Sequence, residues 1–585
     1  MTKIARLLST VLMAGVALIA YSGSPSAAQP SARPDAYDVL IRGGTLYNGT
    51  GAAGFAGDIG IERDRIAYVG PHAPKPGRRE IDAHGKAVTP GFVNMLAHPE
   101  ESLLIDPRAL SDLVQGVTLE VLGEDSMGPL TPEMKKLKLQ RQTDIHYPIT
   151  WSTLGEYLSA LEKHGIAPNV ASYVGAGTVR TNVLGEADIQ PTAAQLAKMR
   201  TLVRGAMEEG AIGVTTALIY SPNGYAKTPE LIALAQEAAR CGGLYAAHMR
   251  SEGDRVLEAV QETVDIARAS GAPAEIYHLK VAGKRNWDKL DSLVRAVNTA
   301  RATGVHISAD MYVYTAGATG LDAAMPPWVQ DGGLESWVAR LKDPGIRARV
   351  LKDMRDPNPG WENLMAAAGA DHTLLLGFKT SALKPLTGKT LGEVARERGK
   401  SAQDTAIDLV IEDGTRIEVA YFLMSEENVR REIALPWVSF DSDADAPAPE
   451  GVFLESSTHP RTYGNFARLL GHYVRDEKLV SLPEAIRKLT GLPATTLSLK
   501  DRGLLKAGYF ADVVVFDPNT IQDHATYERP QQLATGVEDV WINGRAALLD
   551  GKPTGLPTGR AIRGRAWTGM PGGGCRPSAA DWTWQ

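Results

Sequence analysis

Residues 244–312 read LYAAHMRSEGDRVLEAVQETVDIARASGAPAEIYHLKVAGKRNWDKLDSLVRAVNTARATGVHISADMY, and the fold is decided there. LYAAH (244–248), AEIYH (274–278) and HISAD (306–310) are short apolar runs, each ending on a polar residue. Between them, DRVLEAVQETVDIARASG (254–271) and WDKLDSLVRAVNTARATG (287–304) carry apolar residues at helical spacing. Strand-helix units of this length imply parallel strands joined by right-handed crossovers. The rhythm extends upstream through NVASYVGAG (169–177) and GAIGVTTALIY (210–220). A TIM (β/α)8 barrel is the natural closure for so many units.

In such a barrel the strand C-termini share one face, and that face holds the chemistry. His248, His278, Asp310 and Asp443 (in WVSFDSD) all end apolar runs. His248 and His278 lie one strand-helix unit apart, which puts two imidazoles on adjacent strand ends, facing a common centre. With only Cys241 and Cys575 in the chain, no C-x-x-C motif exists, and a metal must be held by His and carboxylates. The same two cysteines permit one disulfide in an oxidising compartment but no disulfide framework.

Outside the repeats, YDVLIRGGTLYNGTG (37–51), DIGIERDRIAYVG (58–70) and REIDAHGKAVTPGF (79–92) read as short strands with Gly-rich turns. GLLKAGYFADVVVFDP (503–518) and VEDVWINGRAALLDGKP (537–553) read the same way. A small β-sandwich built from both chain ends, 37–89 and 491–565, is expected around a barrel over 90–490. Residues 326–400 break the rhythm with Pro, Asp and Trp and are expected to insert over the barrel mouth. Residues 566–585 lack periodicity and read as an irregular tail.

The chain has 585 residues and a formal net charge of -6, and nothing in that balance points to nucleic acid or an anionic membrane. Lys3 and Arg6, the apolar run LLSTVLMAGVALIAY (7–21) and small residues before Gln29 form a signal peptide over 1–28. The apolar run is shorter than the ~20 residues a membrane span needs. A periplasmic or secreted enzyme, free of the membrane after signal removal, is the expectation.

VTPGFVNMLAHPE, QGVTLEVLGE, GVTTALIYSPNGYA, LYAAHMRSEG, IYHLKVAG, SADMYVYTAG and THPRTYGNF, in order over about 37–565, resemble the amidohydrolase superfamily. More narrowly, they resemble its N-acyl-D-amino-acid deacylase (D-aminoacylase) family. The resemblance implies a zinc-dependent hydrolase cleaving the amide bond of small N-acyl amino acids, with one tightly bound ion. It implies metal ligation by His248 and His278, catalysis by Asp443, and binding of a substrate carboxylate by Lys280 and Arg461. Tyr312 is implied as a further substrate contact, with Tyr421 and Met424 in the pocket wall.

The sequence departs from the family at two places. Leu96 stands where the H-x-H of strand one has its first His, leaving His98 as a ligand or a structural residue. The strand-two thiolate is absent, and GEDS offers Glu124, the preferred third ligand, or Asp125. A carboxylate can replace sulfur around zinc. Asp441 and Asp445 flank Asp443 at two removes and, on strand alternation, would share its face and raise its pKa; Asp310 competes as the base. Ala318 replaces a hydroxyl common in the family, which leaves room for dipeptides, cyclic amides or other small amides as substrates. A degenerate, metal-free barrel is the reading from a different class. Mass spectrometry of the native protein is expected to find the N-terminus near Gln29; intact Met1 on most molecules would remove the case for export.

Overall fold

The computed structural model of the protein describes residues 35–357 and 360–582; the leader over 1–28 lies outside them. The chain opens with strands β1 (Tyr37–Leu46), β2 (Phe55–Glu62), β3 (Arg65–Gly70), β4 (Gly77–Asp82) and β5 (Ala87–Pro90). β6 (Phe92–Ala97), β7 (Val117–Leu122) and β8 (Asn169–Ser172) follow. Next come β9 (Val174–Gly175), β10 (Gly213–Ala217), β11 (Leu244–His248), β12 (Ala274–Ile276) and β13 (Ile307–Ala309). β14 (Ala316–Gly320), β15 (Thr373–Gly377) and β16 (Glu418–Phe422) form a separate antiparallel sheet. β17 (Val513–Phe516), β18 (Val537–Ile542), β19 (Arg545–Leu549) and β20 (Lys552–Pro553) close the chain.

Two parallel ladders carry the strand-helix repeats. One runs β6-β7-β8 and the other β9-β10-β11-β12-β13; β8 and β9 are separated by Tyr173 alone. The segment 438–444 then meets both outer edges. Val438 bridges Ala309 in parallel, and Ser439 N donates to Ala309 O (2.8 Å). On its other side Met95 N donates to Phe440 O (3.2 Å), and Asp443 N donates to Leu96 O (3.0 Å).

The crossover helices form for local reasons. The helix Leu290–Ala302 buries Leu290, Leu293, Val297 and Ala300, one stripe at helical spacing. The helix Val256–Ser270 stops at Gly271, whose φ of 74° accommodates the left-handed C-terminal turn. Both helices present their apolar stripe to the large core that includes Val260, Val264, Ile276, Leu293 and Ile307.

The chain ends meet in one hydrogen-bonded sheet. β17 pairs antiparallel with β5, which itself pairs with β1, giving a single nine-stranded sheet. Val39, Ile61, Val88, Val513 and Trp541 give that sheet its own core. The insertion is wider than 326–400. Its helices Leu334–Leu341, Pro344–Met354, Leu391–Arg398 and Ala402–Asp413 are framed by the sheet β14-β16-β15, so it spans 316–422. No helix among the described residues is long and apolar enough to cross a membrane.

The tail is irregular but anchored. Cys575 forms a disulfide with Cys241, and Arg576 N and Trp582 Nε1 both donate to Arg240 O (2.7 and 2.9 Å). Cys241 caps the helix Thr228–Arg240, which leads into β11. Thiol titration of the unreduced protein is expected to find no free cysteine. Cys575→Ser should release the tail to proteolysis beyond Gly564, a local loss on the order of 2–4 kcal/mol, and a protease-resistant tail in that variant would refute the anchoring.

Candidate metal centre

Glu124, one residue past the Gly that follows β7, reaches the ends of two other strands. Its Oε1 lies 3.0 Å from His248 Nδ1 and 3.3 Å from His278 Nε2. The two imidazoles stand edge to face with centroids 4.5 Å apart. Glu124, His248 and His278 are thus a group whose donor atoms all lie within 4.8 Å of one another, as a metal ion requires. Both histidines are buried, and burial works to raise the Glu124 carboxyl. The two imidazoles outweigh burial and hold that carboxyl well below the usual range.

The backbone is bent to achieve this. Glu124, His278 and Asp443 have φ of 63°, 36° and 44°, in the left-handed region that side chains other than Gly rarely adopt. Such residues persist where surrounding structure holds them, and they gather at functional sites. Here the turn after each strand swings the side chain inward over the strand end. His278 is held further by its backbone N–H, which donates to Asp310 Oδ1 (2.5 Å).

Asp443 stands beside this group. His98 Nε2 is 3.1 Å from its Oδ1, and Arg461 Nη1 is 2.8 Å from its Oδ2. Burial pushes Asp443 up, but Arg461, His278 and His98 together hold it well below the usual range. His98 is lifted to about 9: burial lowers it, and the hydrogen bond to Asp443 with the Glu100 charge prevails. The Arg461 contact is an ion pair off the hydrogen-bond direction. Its buried Nε and Nη1 have no hydrogen-bond partner among the described residues. A buried guanidinium with unused N–H groups is suited to a carboxylate.

The expectation that Asp441 and Asp445 share a face with Asp443 and raise its pKa does not hold. The positive φ at Asp443 breaks strand alternation. Asp445 turns to Ser102, and Asp441 lies against Asp310 in the interior. Burial, then the Asp310 charge, pushes Asp441 well above the usual range. Burial and then the Glu275 charge likewise push Asp310 up, and its Oδ1 accepts from the His278 backbone N–H.

Other expected residues are placed as follows. Asp125 turns away from the histidines to Thr178, 3.4 Å from its Oγ1. Leu96 is fully buried in apolar surroundings. Lys280 is buried with Nζ 2.9 Å from Glu252 Oε1 and 2.7 Å from His278 Nδ1, so its ammonium is engaged inside the protein. Tyr312 lies beneath both cations, 5.3 Å from Lys280 Nζ and 4.4 Å from Arg461 Cζ. Tyr421 and Met424 belong to the apolar core, where the Tyr421 hydroxyl donates to Gly320 O (3.2 Å); neither is brought to the histidines. Sequence reasoning missed Glu252, Tyr220 and Glu362. Glu252 follows His248 by four residues in HMRSEG, a spacing that was available as a signal. Tyr220 packs edge to face on His248, and its run GVTTALIYSPN gave no hint of that.

A profile of the Amidohydrolase family matches residues 455–547. A D-aminoacylase of Alcaligenes xylosoxydans xylosoxydans is 34% identical, covering 90% of this chain and 97% of its own. A solved D-aminoacylase with a binuclear metal centre, described by one-metal activation and second-metal attenuation, superposes with a TM-score of 0.76 at 33% identity. That match covers 90% of this chain and 100% of the other. An N-acyl-D-glutamate deacylase of Bordetella bronchiseptica, solved with zinc and a phosphonate mimic of the tetrahedral intermediate, gives 0.74 at 28% identity, with the same coverage of both chains. Coverage of nearly the whole length, together with a carboxylate and two histidines gathered at strand ends, places this chain in the D-aminoacylase family of amidohydrolases.

Proposed function

We propose that the protein hydrolyses the amide bond of N-acyl-D-amino acids, using one zinc ion held by Glu124, His248 and His278. The carrying observation is the single carboxylate oxygen of Glu124 within 3.3 Å of a nitrogen on each of two buried imidazoles. The donor set fits zinc, whose catalytic sites have three protein ligands of the His and carboxylate type with one position open. We further propose that the two parallel ladders and the segment 438–444 form the closed (β/α)8 barrel. Export to an oxidising compartment is part of the same reading, supported by the Cys241–Cys575 disulfide.

A bound zinc ion supplies Lewis acidity and lowers the pKa of water towards ~7. The rest is the work of the chain. Asp443, held as a carboxylate by its cationic neighbours, accepts the proton of the attacking water and delivers it to the leaving amine nitrogen. His98 hydrogen-bonds the same carboxylate and steadies it through both transfers. Arg461 offers its unused N–H groups to the substrate carboxylate, and Tyr312 supports that guanidinium from below. His459 fixes the turn that presents Arg461, accepting the Arg461 backbone N–H at Nδ1 (3.0 Å).

Elemental analysis is expected to give close to one zinc per chain; two tightly held ions would show that Leu96 has not removed a second site. Glu124→Gln should keep the fold and lose zinc. If instead Asp125→Asn loses zinc and Glu124→Gln retains it, the third ligand is Asp125. Asp443→Asn should keep zinc and lower kcat by about 10²–10⁴-fold. Paired N-acyl-D- and N-acyl-L-amino acids test the substrate, with turnover of the D series expected and turnover of the L series alone fatal to the reading.

A further inference from the structure

The turn that aims Asp443 is braced from strand one. Asn94, on β6, is fully buried, and its amide meets Ser442, the residue before Asp443, at two points. The Ser442 N–H donates to Asn94 Oδ1 (2.8 Å), and Asn94 Nδ2 donates to Ser442 Oγ (2.8 Å). The same Nδ2 donates to Asp112 Oδ2 (2.9 Å) and to Glu120 Oε2 (3.0 Å). Ser442, Asp112 and Glu120 are fully buried as well. From this geometry we infer that Asn94 is a positioning residue for Asp443. It ties the turn that carries the proposed base to β7, the strand that leads to Glu124.

The inference rests on Asp443 as the proton acceptor, as proposed above. Asp443 has a φ of 44°, a conformation that persists only where its surroundings hold it. Main-chain bonds do part of that work. The Asp443 N–H donates to Leu96 O (3.0 Å), and the His98 N–H donates to Ala444 O (2.9 Å). The amide just before the turn is bonded to a side chain instead, that of Asn94. The neighbours also decide which end of the Asn94 amide is which. The Ser442 N–H is a donor and needs the oxygen, while the two carboxyls accept and need the nitrogen. An ionised Asp at this place would meet Asp112 and Glu120 with acceptors alone. An Ala would leave the Ser442 N–H buried without its partner.

The brace joins the two halves of the chemistry. Glu120 lies on β7, four residues before Glu124. Asp112 belongs to the short helix Leu110–Leu113 that precedes the same strand. Asn94 therefore relates the turn bearing Asp443 to the strand bearing Glu124 through one rigid, buried amide. A base must stand within hydrogen-bond reach of the water it deprotonates. A displacement of about 1 Å is enough to cost on the order of 10²-fold in rate. Asn94 bonds to Ser442 rather than to the Asp443 carboxylate, so it acts on the reaction through the turn.

The test uses Asn94→Ala and Ser442→Ala, each alone and combined with Asp443→Asn. It reads kcat, KM, zinc content, a melting curve, and hydrogen–deuterium exchange over 438–446 in the zinc-free protein. Asn94→Ala is expected to lower kcat about 10–100-fold, with KM within about twofold. Its zinc content should stay at the wild-type level, and exchange over 438–446 should be faster. In the Asp443→Asn background the same change should cost little more, since both act on one group. Ser442→Ala keeps the N–H bond to Asn94 Oδ1 and should lose less, about 3–10-fold in kcat. If Asn94→Ala does not fold, Ser442→Ala and its combination with Asp443→Asn carry the test. Wild-type kcat in the folded variants, or a loss just as large in the Asp443→Asn background, would overturn the inference. So would loss of zinc from Asn94→Ala, which would put its effect at the metal ligands. If Asp443→Asn itself keeps wild-type kcat, the reading of Asp443 as the base fails, and unchanged exchange would separately show that Asn94 does not hold the turn.

Discussion

A half-buried carboxylate set against two buried imidazoles organises this protein. Glu124 meets His248 and His278 at 3.0 and 3.3 Å, and both imidazoles are buried. The three residues come from the ends of β7, β11 and the stretch after β12, so any shift of one ladder against the other would separate them. The left-handed turns at Glu124 and His278 make sense only in this light. Each costs on the order of 1–3 kcal/mol and must be held by what surrounds it.

Around that centre the charges alternate. Asp443 faces Arg461 and His98, and Glu252 faces Lys280. The replacement of the strand-one histidine by Leu96 fits the same pattern. Leu96 packs into the apolar layer with Met95 and Val121. His98 remains, and its partner is Asp443. The result is a carboxylate set up for proton transfer by neighbouring cations, distinct from the carboxylate that faces the two imidazoles.

The sequence made the centre legible where residue type and strand-end position coincide. His248, His278 and Glu124 each stand just at or past an apolar run, and the structure brings those three together. It was less informative where contacts are set by the turn after the strand. Strand alternation placed Asp441 beside Asp443, but a positive φ at Asp443 reverses the direction of the side chain. Lys280 illustrates a second limit: the resemblance implies its substrate role, while its contact with Glu252 at 2.9 Å is set by tertiary structure that no local pattern announces. The order of strands in the sheet was not legible for a related reason. Period-two patterning reports which face of a strand is buried, and says nothing of which edge it offers to its neighbours.

The pairing of β5 with β17 bears on how the polypeptide is made. β5 lies between β1 and β17 in the finished sheet, and it continues at once into β6, the first strand of the parallel ladders. During synthesis the amino-terminal strands therefore wait with an unpaired apolar edge until β17 arrives roughly 400 residues later, a long-range closure of the kind that slows folding. Edges of that sort recruit other chains when left open. Truncation anywhere before β17 would thus leave an adhesive fragment, and a ribosome stalled within the barrel repeats would be holding one.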